Sequence, residues 1–375
     1  MRRLVFSIIS AVVIVMSAAV ANAKEITASI WLPDTHPLTK VGYVEWANTV
    51  NKKSGGEIKV NVFTGSSLLP PAGHLTGVRD GVAQLGYHAG TYTPSDMPED
   101  NVIAMLGIGM TNSLVTALAT TDFFINDTEM QSLYKRNGIV YLGGYSTPSY
   151  ILICNKEVKS LADMEGVKVR MPGSVHSSWA KSVGAVPVSV PSSEMFTGLE
   201  KGQLDCAANA ANDLKNRSLW DVAKYVTTVD LGRYSAGWQY GMNADSWAGL
   251  SPKERRLLLD TFAESIVKTT NAYDAAAAQG LSEAPGQGVN IITPDEDLRT
   301  AISDFATITA PAEAIEQGKD KLGVDDPQGL INRFRKSVEK WNGLLAGIDP
   351  SDEAALIEIV QNEVYGSVDE TKYGL

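Results

Sequence analysis

Residues 163–210 read DMEGVKVRMPGSVHSSWAKSVGAVPVSVPSSEMFTGLEKGQLDCAANA. Residues 167–171 predict a short strand in which Arg170 stands among apolar neighbours. A helical segment follows, then Gly184-Ala185, a strand at 186–190, a helix around Glu194, and a strand at 204–208 ending at Asn209. Strands and helices alternating at this spacing predict an α/β sheet with crossover helices. A guanidinium at the end of an apolar strand is costly to bury unless something anionic meets it. Arg170 is therefore the first candidate binding residue, with an ion pair to an acid such as Glu194 as the structural alternative.

Upstream the same alternation holds. Residues 25–32 predict a strand, and 38–53 a helix with Val41, Val44, Ala47 and Val50 spaced by three before Gly55-Gly56 stops it. Ile58, Val60 and Val62 alternate with polar residues as in a half-buried strand, followed by a helix at 75–82 and a strand at 84–88. Ligands of such sheets gather beyond the carboxyl ends of the strands, here residues 31–36, 64–69 and 87–92. A second unit is expected from strands near Val140, Ile151, Val169, Val188 and Cys206, after which a strand at 236–242 returns the chain to the first. Ser251-Pro252-Lys253-Glu254 is a capping box with proline at the first helical position. If that helix runs to Gln279, its 28 residues span about 42 Å, long enough to lie along both units. Phe334, Val338, Trp341, Leu344 and Leu345, then Leu356, Ile359 and Val364, predict docked C-terminal helices.

Composition limits the function classes. Arg2-Arg3, an apolar run over 4–20 and Ala21-Asn22-Ala23 before Lys24-Glu25 predict a secretory signal peptide cleaved after Ala23. Lys24 rather than a cysteine stands directly after that point, which excludes a lipoprotein anchor, and no later segment approaches the ~20 apolar residues of a membrane span. The 32 basic residues less Arg2 and Arg3, set against 43 acidic ones, leave a net charge of −13 on residues 24–375. Such a surface disfavours nucleic acid and anionic lipid, while leaving local charge free to bind an anion. An oxidising compartment permits a Cys154–Cys206 disulfide, and two buried free thiols are the alternative. His36, His74, His88 and His176 lack metal-ligand spacing, so neither metal nor cofactor is expected. The chain carries no Gly-x-Ser-x-Gly, P-loop or dinucleotide fingerprint, and Cys206 with His176 is not a catalytic constellation.

Within 163–210, Asp163, Gly166, Lys168, Arg170, Gly184, Ala185, Pro187, Val188, Glu194, Phe196, Leu199, Gly202, Asp205 and Asn209 stand in the order of a known pattern. The chain thereby resembles the substrate-binding proteins of TRAP transporters, the DctP-like family, and the resemblance continues more weakly from Ile26 to Leu375. It implies a two-lobed periplasmic-binding-protein fold, with a hinge and a long helix spanning both lobes. The implied division is 1–23 as signal peptide, 24–147 plus 236–275 as one lobe, and 148–235 plus 276–375, including the C-terminal helices, as the other. It implies a periplasmic monomer that closes on a small organic anion and delivers it to TRAP membrane permease subunits. By resemblance Arg170 clamps the carboxylate, which suits a planar fork of donors, and Asn209 orients it. Many members have a second arginine on the strand entering the second lobe, where Tyr150 falls here. Cys206 and Ala210 replace the usual glycine and proline. One fixed positive charge fewer argues against a dicarboxylate and for a monocarboxylate, a sulfonate or a zwitterion.

Trp31, Tyr87, Tyr92, Tyr150, Tyr234 and Trp238 fall where loops should meet the cleft. They could wall an apolar ligand or hold a cationic group, with ordinary core packing as the alternative. His36 and His88 are candidates to bond a ligand hydroxyl, and Arg233 to add a cation near the hinge. The rival classes are an amine- or zwitterion-binding protein of the same fold, a sensor module, and an exported enzyme. A binding protein holds its ligand stoichiometrically, whereas an enzyme turns it over.

Overall fold

The computed structural model describes residues 23–375, so the signal-peptide reading, apart from Ala23, lies outside the described residues. Among them the chain forms eleven strands. These are β1 (Lys24–Ser29), β2 (Ile58–Phe63), β3 (Leu85–His88), β4 (Ile139–Gly143), β5 (Tyr150–Cys154), β6 (Lys168–Arg170), β7 (Val186–Val188), β8 (Cys206–Ala210), β9 (Tyr225–Thr227), β10 (Trp238–Asn243) and β11 (Asn290–Ile292). They build two sheets, ordered β2-β1-β3-β10-β4 and β11-β9-β5-β8-β6-β7, one in each of two lobes.

In the first sheet β1 runs parallel to β2 and β3, and β10 is antiparallel to β3 and β4. The strand near Val140, expected in the second unit, is thus corrected to the first sheet. All five residues of β4 are buried, and β10 is the partner that satisfies its backbone. Local periodicity assigns a strand, not the sheet it joins. In the second sheet β6 is parallel to β7 and β8, while β5 is antiparallel to β8 and β9. Cys154 lies opposite Cys206 in the β5–β8 register, and the two form a disulfide.

The helix predicted over 38–53 contains a π turn at Lys40–Glu45 between helical segments Pro37–Thr39 and Trp46–Lys53. Its cause is tertiary. The Tyr240 hydroxyl donates to the Gly42 carbonyl, diverting it from the helical ladder.

The lobes are joined by β4–β5, by β9–β10 and by the long helix. The first two links lie side by side. Thr147 N–H donates to Tyr234 O at 3.0 Å, Tyr150 N–H to Gly232 O at 2.9 Å, and Leu231 N–H to Tyr150 O at 2.9 Å. Gly237, just before β10, has φ +78° and gives its N–H to the buried Asp100 carboxylate at 2.8 and 3.0 Å. Burial raises the Asp100 pKa to about 7, against the stabilising Gly237 N–H. The long helix runs Pro252–Glu283, one turn beyond expectation, and opens with the predicted capping box. Its early turns bury Leu258, Leu259, Phe262 and Ile266 in the main core, and its last turns bury Ala277 in a second core with Leu214 and Leu219. The C-terminal helices, expected with the second lobe, are corrected to a position largely on the first. Ala310–Asp320 packs on Pro98–Ala104, Pro327–Leu344 on Ser113–Asn126, and Glu353–Glu363 on the long helix. The Trp341 indole N–H reaches the Asp122 carboxylate at 3.0 Å.

Candidate functional site

The site forms where strand ends of the two sheets face each other. In the second sheet Arg170 ends β6, Asn209 lies near the end of β8, and Tyr150 starts the antiparallel β5 opposite Ala210. Antiparallel pairing puts the start of one strand beside the end of its neighbour, so three residues far apart in sequence meet at one edge. The first lobe contributes Trp31 and His36 after β1, and Tyr87 and Tyr92 in and after β3. Tyr234 comes from the hinge.

Arg170 is 2 % exposed. Its Nε–H donates to Val190 O at 3.2 Å and its Nη1 to Ala208 O at 3.1 Å. Among the described residues it makes no ion pair, and Glu194, the alternative partner, is exposed. The fork is thus braced by two neutral carbonyls, with its charge uncompensated by them. The Tyr150 ring lies parallel to Tyr234, 5° apart in plane with centroids 6.1 Å apart. Burial raises the Tyr150 pKa and the adjacent Arg170 cation opposes that rise, so its hydroxyl stays protonated at neutral pH.

Asn209 donates its amide to Asp213 Oδ2 at 2.6 Å. Asp213 and Arg217 were not among the expected site residues. They stand four apart just after β8, and Arg217 Nε–H donates to the same oxygen at 2.9 Å while Asn212 donates to Asp213 Oδ1 at 2.8 Å. The Arg217 guanidinium lies 5.6 Å from the Trp31 ring centre and also reaches Ser192 Oγ at 3.3 Å. The spacing NDLKNR is the available sequence signal, an i, i+4 acid–base pair. Nothing local shows that it turns toward Trp31, which is 186 residues away in sequence. His36 Nε2 is 3.9 Å from Asp213 Oδ1, and His36 Nδ1 accepts from Leu38 N–H. Burial lowers the His36 pKa to about 4, Asp213 opposing and Arg217 reinforcing the change, so the ring is neutral at pH 7. Charge in the site is then one cation in excess, Arg170 and Arg217 against Asp213.

Trp31, Tyr87, Tyr92, Tyr150 and Tyr234 line one cavity with Arg170, Asn209 and His36, and Tyr273 of the long helix joins them. His88 and Trp238 do not, and these two expectations are corrected. Successive strand residues point to opposite faces, so His88 turns away from the face of Tyr87. It pairs in register with Trp238, their rings 4.8 Å apart. His88 Nε2 is bonded to Thr93 Oγ1 and the Trp238 indole donates to Gly86 O. Arg233 is also outside the cavity, held by Asp230 at 3.1 Å and by Met110 O. Cys206, with its sulfur in the disulfide, has no thiol to offer His176, which bonds Leu231 O.

The lobes touch through several hydrogen bonds. Thr35 and Asn216 exchange two hydrogen bonds, at 3.2 and 2.9 Å. Ser192 N–H donates to the Tyr92 hydroxyl at 3.1 Å, and Thr91 Oγ1 to Pro172 O at 2.8 Å. The lining side chains leave about 20 Å³ between them, room for roughly one water. A ligand therefore enters only when the lobes part.

The comparisons with known proteins agree with this architecture. A solute-binding protein of Albidiferax ferrireducens is 25 % identical over 64 % of this chain and 69 % of its own. A monocarboxylate 2-oxoacid-binding periplasmic protein of a Nostoc species is 20 % identical over 90 % of this chain and 93 % of its own. A marine metagenome TRAP solute-binding protein, solved in complex with metahydroxyphenylacetate, superposes with a TM-score of 0.76 at 21 % identity, covering 85 % of this chain and 99 % of its own. The model of the bacterial extracellular solute-binding proteins, family 7, matches residues 28–309. The chain belongs to that family, the DctP family of extracytoplasmic solute-binding proteins.

Proposed function

We propose that this protein captures a monoanionic organic carboxylate between its lobes in the periplasm, as a monomer released by cleavage after Ala23. It then presents the loaded form to the membrane permease of a TRAP transporter. The observation that carries the reading is the Arg170 fork, buried in an aromatic-walled cavity and braced by two carbonyls, with no acid paired to it among the described residues. A buried guanidinium left in this way favours an anion held through two parallel hydrogen bonds. The single excess positive charge selects one negative charge, and Arg217 does not change this because Asp213 balances it. Asn209 contributes by fixing Asp213, and the rings of Trp31, Tyr87 and Tyr150 cover the body of the acid. The ligands named for similar proteins support the class: a monocarboxylate 2-oxoacid for one, metahydroxyphenylacetate and benzoate for others. Stoichiometric binding without turnover is the expected activity.

A zwitterion is the second reading, favoured by Asp213 and six aromatic rings in the same cavity. The deciding experiment is a thermal-shift screen of the purified protein against carboxylates, sulfonates, sugar acids, aromatic acids and amines, since a ligand of the native state raises the midpoint by mass action. A shift confined to monocarboxylates and lost in Arg170→Ala supports the proposal. Shifts from amines or neutral solutes alone refute it.

A further inference from the structure

Directly beside the carboxylate cavity lies a groove of about 600 Å³. Its walls come from both lobes and the C-terminal region, and Met171, Pro172, Val190, Pro191, Pro94 and Leu322 make them largely apolar. Lys321 is the one charged residue lining it among the described residues. The two spaces share a single residue, Tyr92. Half-buried, Tyr92 packs toward Trp31 on the cavity side, centroids 5.8 Å apart, and its hydroxyl is held by Ser192 N–H at 3.1 Å. The groove is also tied to the anion clamp, because Val190 lines it while the Val190 carbonyl braces Arg170 Nε–H. Tyr92 thus stands between the cavity that holds Arg170 and an apolar trough that no carboxylate lines among the described residues.

Resting on the carboxylate reading above, we propose that Tyr92 is the specificity-determining residue for ligand length. Its ring closes the cavity around a short acid and keeps the groove out of reach. The groove is a distal subsite for the apolar tail of a monocarboxylate, opened when the ring at position 92 is smaller. The Ser192 N–H bond holds the ring across the gap, but the ring itself is the barrier. Removing the hydroxyl therefore weakens binding without changing which lengths fit.

The test is calorimetric titration of ω-phenylalkanoates, from phenylacetate to 6-phenylhexanoate, into wild type, Tyr92→Phe and Tyr92→Ala, with Tyr92→Leu in reserve should the alanine variant fail to fold. Wild type and Tyr92→Phe are expected to bind the short acids best. Tyr92→Ala is expected to shift the ratio of long- to short-acid affinity by at least tenfold toward the long. Adding Ser177→Phe, which puts a ring into the groove from one of its walls, is expected to abolish that shift. An unchanged length ranking in Tyr92→Ala, or a shift that survives Ser177→Phe, overturns the proposal while leaving the carboxylate reading intact. Failure of every acid to bind any form, with amines or neutral solutes binding instead, overturns both.

Discussion

Replacing Arg170 by methionine keeps much of its apolar stem and removes the fork, so binding and folding costs can be separated. Arg170 is 2 % exposed and its Nε and Nη1 are spent on the carbonyls of Val190 and Ala208. The rest of the guanidinium faces the cavity beside Tyr150. Truncating one partner of a buried, hydrogen-bonded charge pair costs about 2–5 kcal/mol in affinity. At ~1.4 kcal/mol per decade that is roughly 30-fold to a few thousand-fold in Kd. Folding loses the two carbonyl bonds, and each orphaned acceptor costs about 1–3 kcal/mol where water cannot reach it. Arg170→Lys should also bind more weakly, because an ammonium cannot brace both carbonyls and grip a carboxylate in parallel. The assay is calorimetry with the best carboxylate from the screen, alongside urea unfolding of each variant. Glu194→Ala, at an exposed site with no bond to Arg170, should bind like wild type. Retention of affinity within threefold in folded Arg170→Met would refute the clamp.

Stability should fall steeply on acidification. Burial lowers the pKa of His36, His74 and His176 to about 4 and that of His88 to about 3. Each thus contributes stability that is complete above the unfolded value near 6.5 and is lost as pH falls toward the folded one, at up to about 1.4 kcal/mol per pH unit. Asp100, raised to about 7, acts in the opposite sense between its unfolded value and 7 and offsets about one of the four. Urea midpoints should therefore drop markedly from pH 7 to pH 5, and equal midpoints would contradict the burial of these rings. Asp213→Asn leaves the largely covered Arg217 without its anion, so unfolding free energy should fall by about 3 kcal/mol; a loss under 0.5 kcal/mol by denaturant titration would show that the pair is not desolvated. At Gly280 an added Cβ would stand 2.3 Å from Ala211 O. Gly280→Ala should push the long helix off the segment carrying Asn209 and Asp213, costing about 1–3 kcal/mol in stability and weakening binding several-fold, whereas wild-type affinity would mean the segment moves without disturbing the site.

The site was legible in the sequence where chemistry and local pattern coincide. Arg170 stood out because a guanidinium in an apolar strand demands explanation, and Trp31, His36, Tyr87 and Tyr92 because they lie at or after the carboxyl ends of strands, where ligands gather. His88 and Trp238 came from the same logic applied without the strand phase. The pleat that turns Tyr87 toward the cavity turns His88 the other way, and Trp238 is its cross-strand partner. Asp213 and Arg217 were missed because an i, i+4 acid–base pair reads as an ordinary solvated helix face, and only the approach of Trp31 and Ser192 makes it an inner wall.

By itself the sequence determined the alternation of strands and helices and the capping box that starts the long helix, and it marked Arg170 as the buried cation to be explained. These rest on neighbours a few residues apart, where periodicity, capping and turn chemistry operate. Only the tertiary structure decided that β4 pairs with β10 in the first sheet, that the C-terminal helices largely cover the first lobe, that Cys154 meets Cys206, and that Tyr92 stands between cavity and groove. Each depends on contacts between distant parts of the chain. Such contacts are chosen by which apolar faces and unpaired strand edges can be satisfied together, and local pattern does not record that choice.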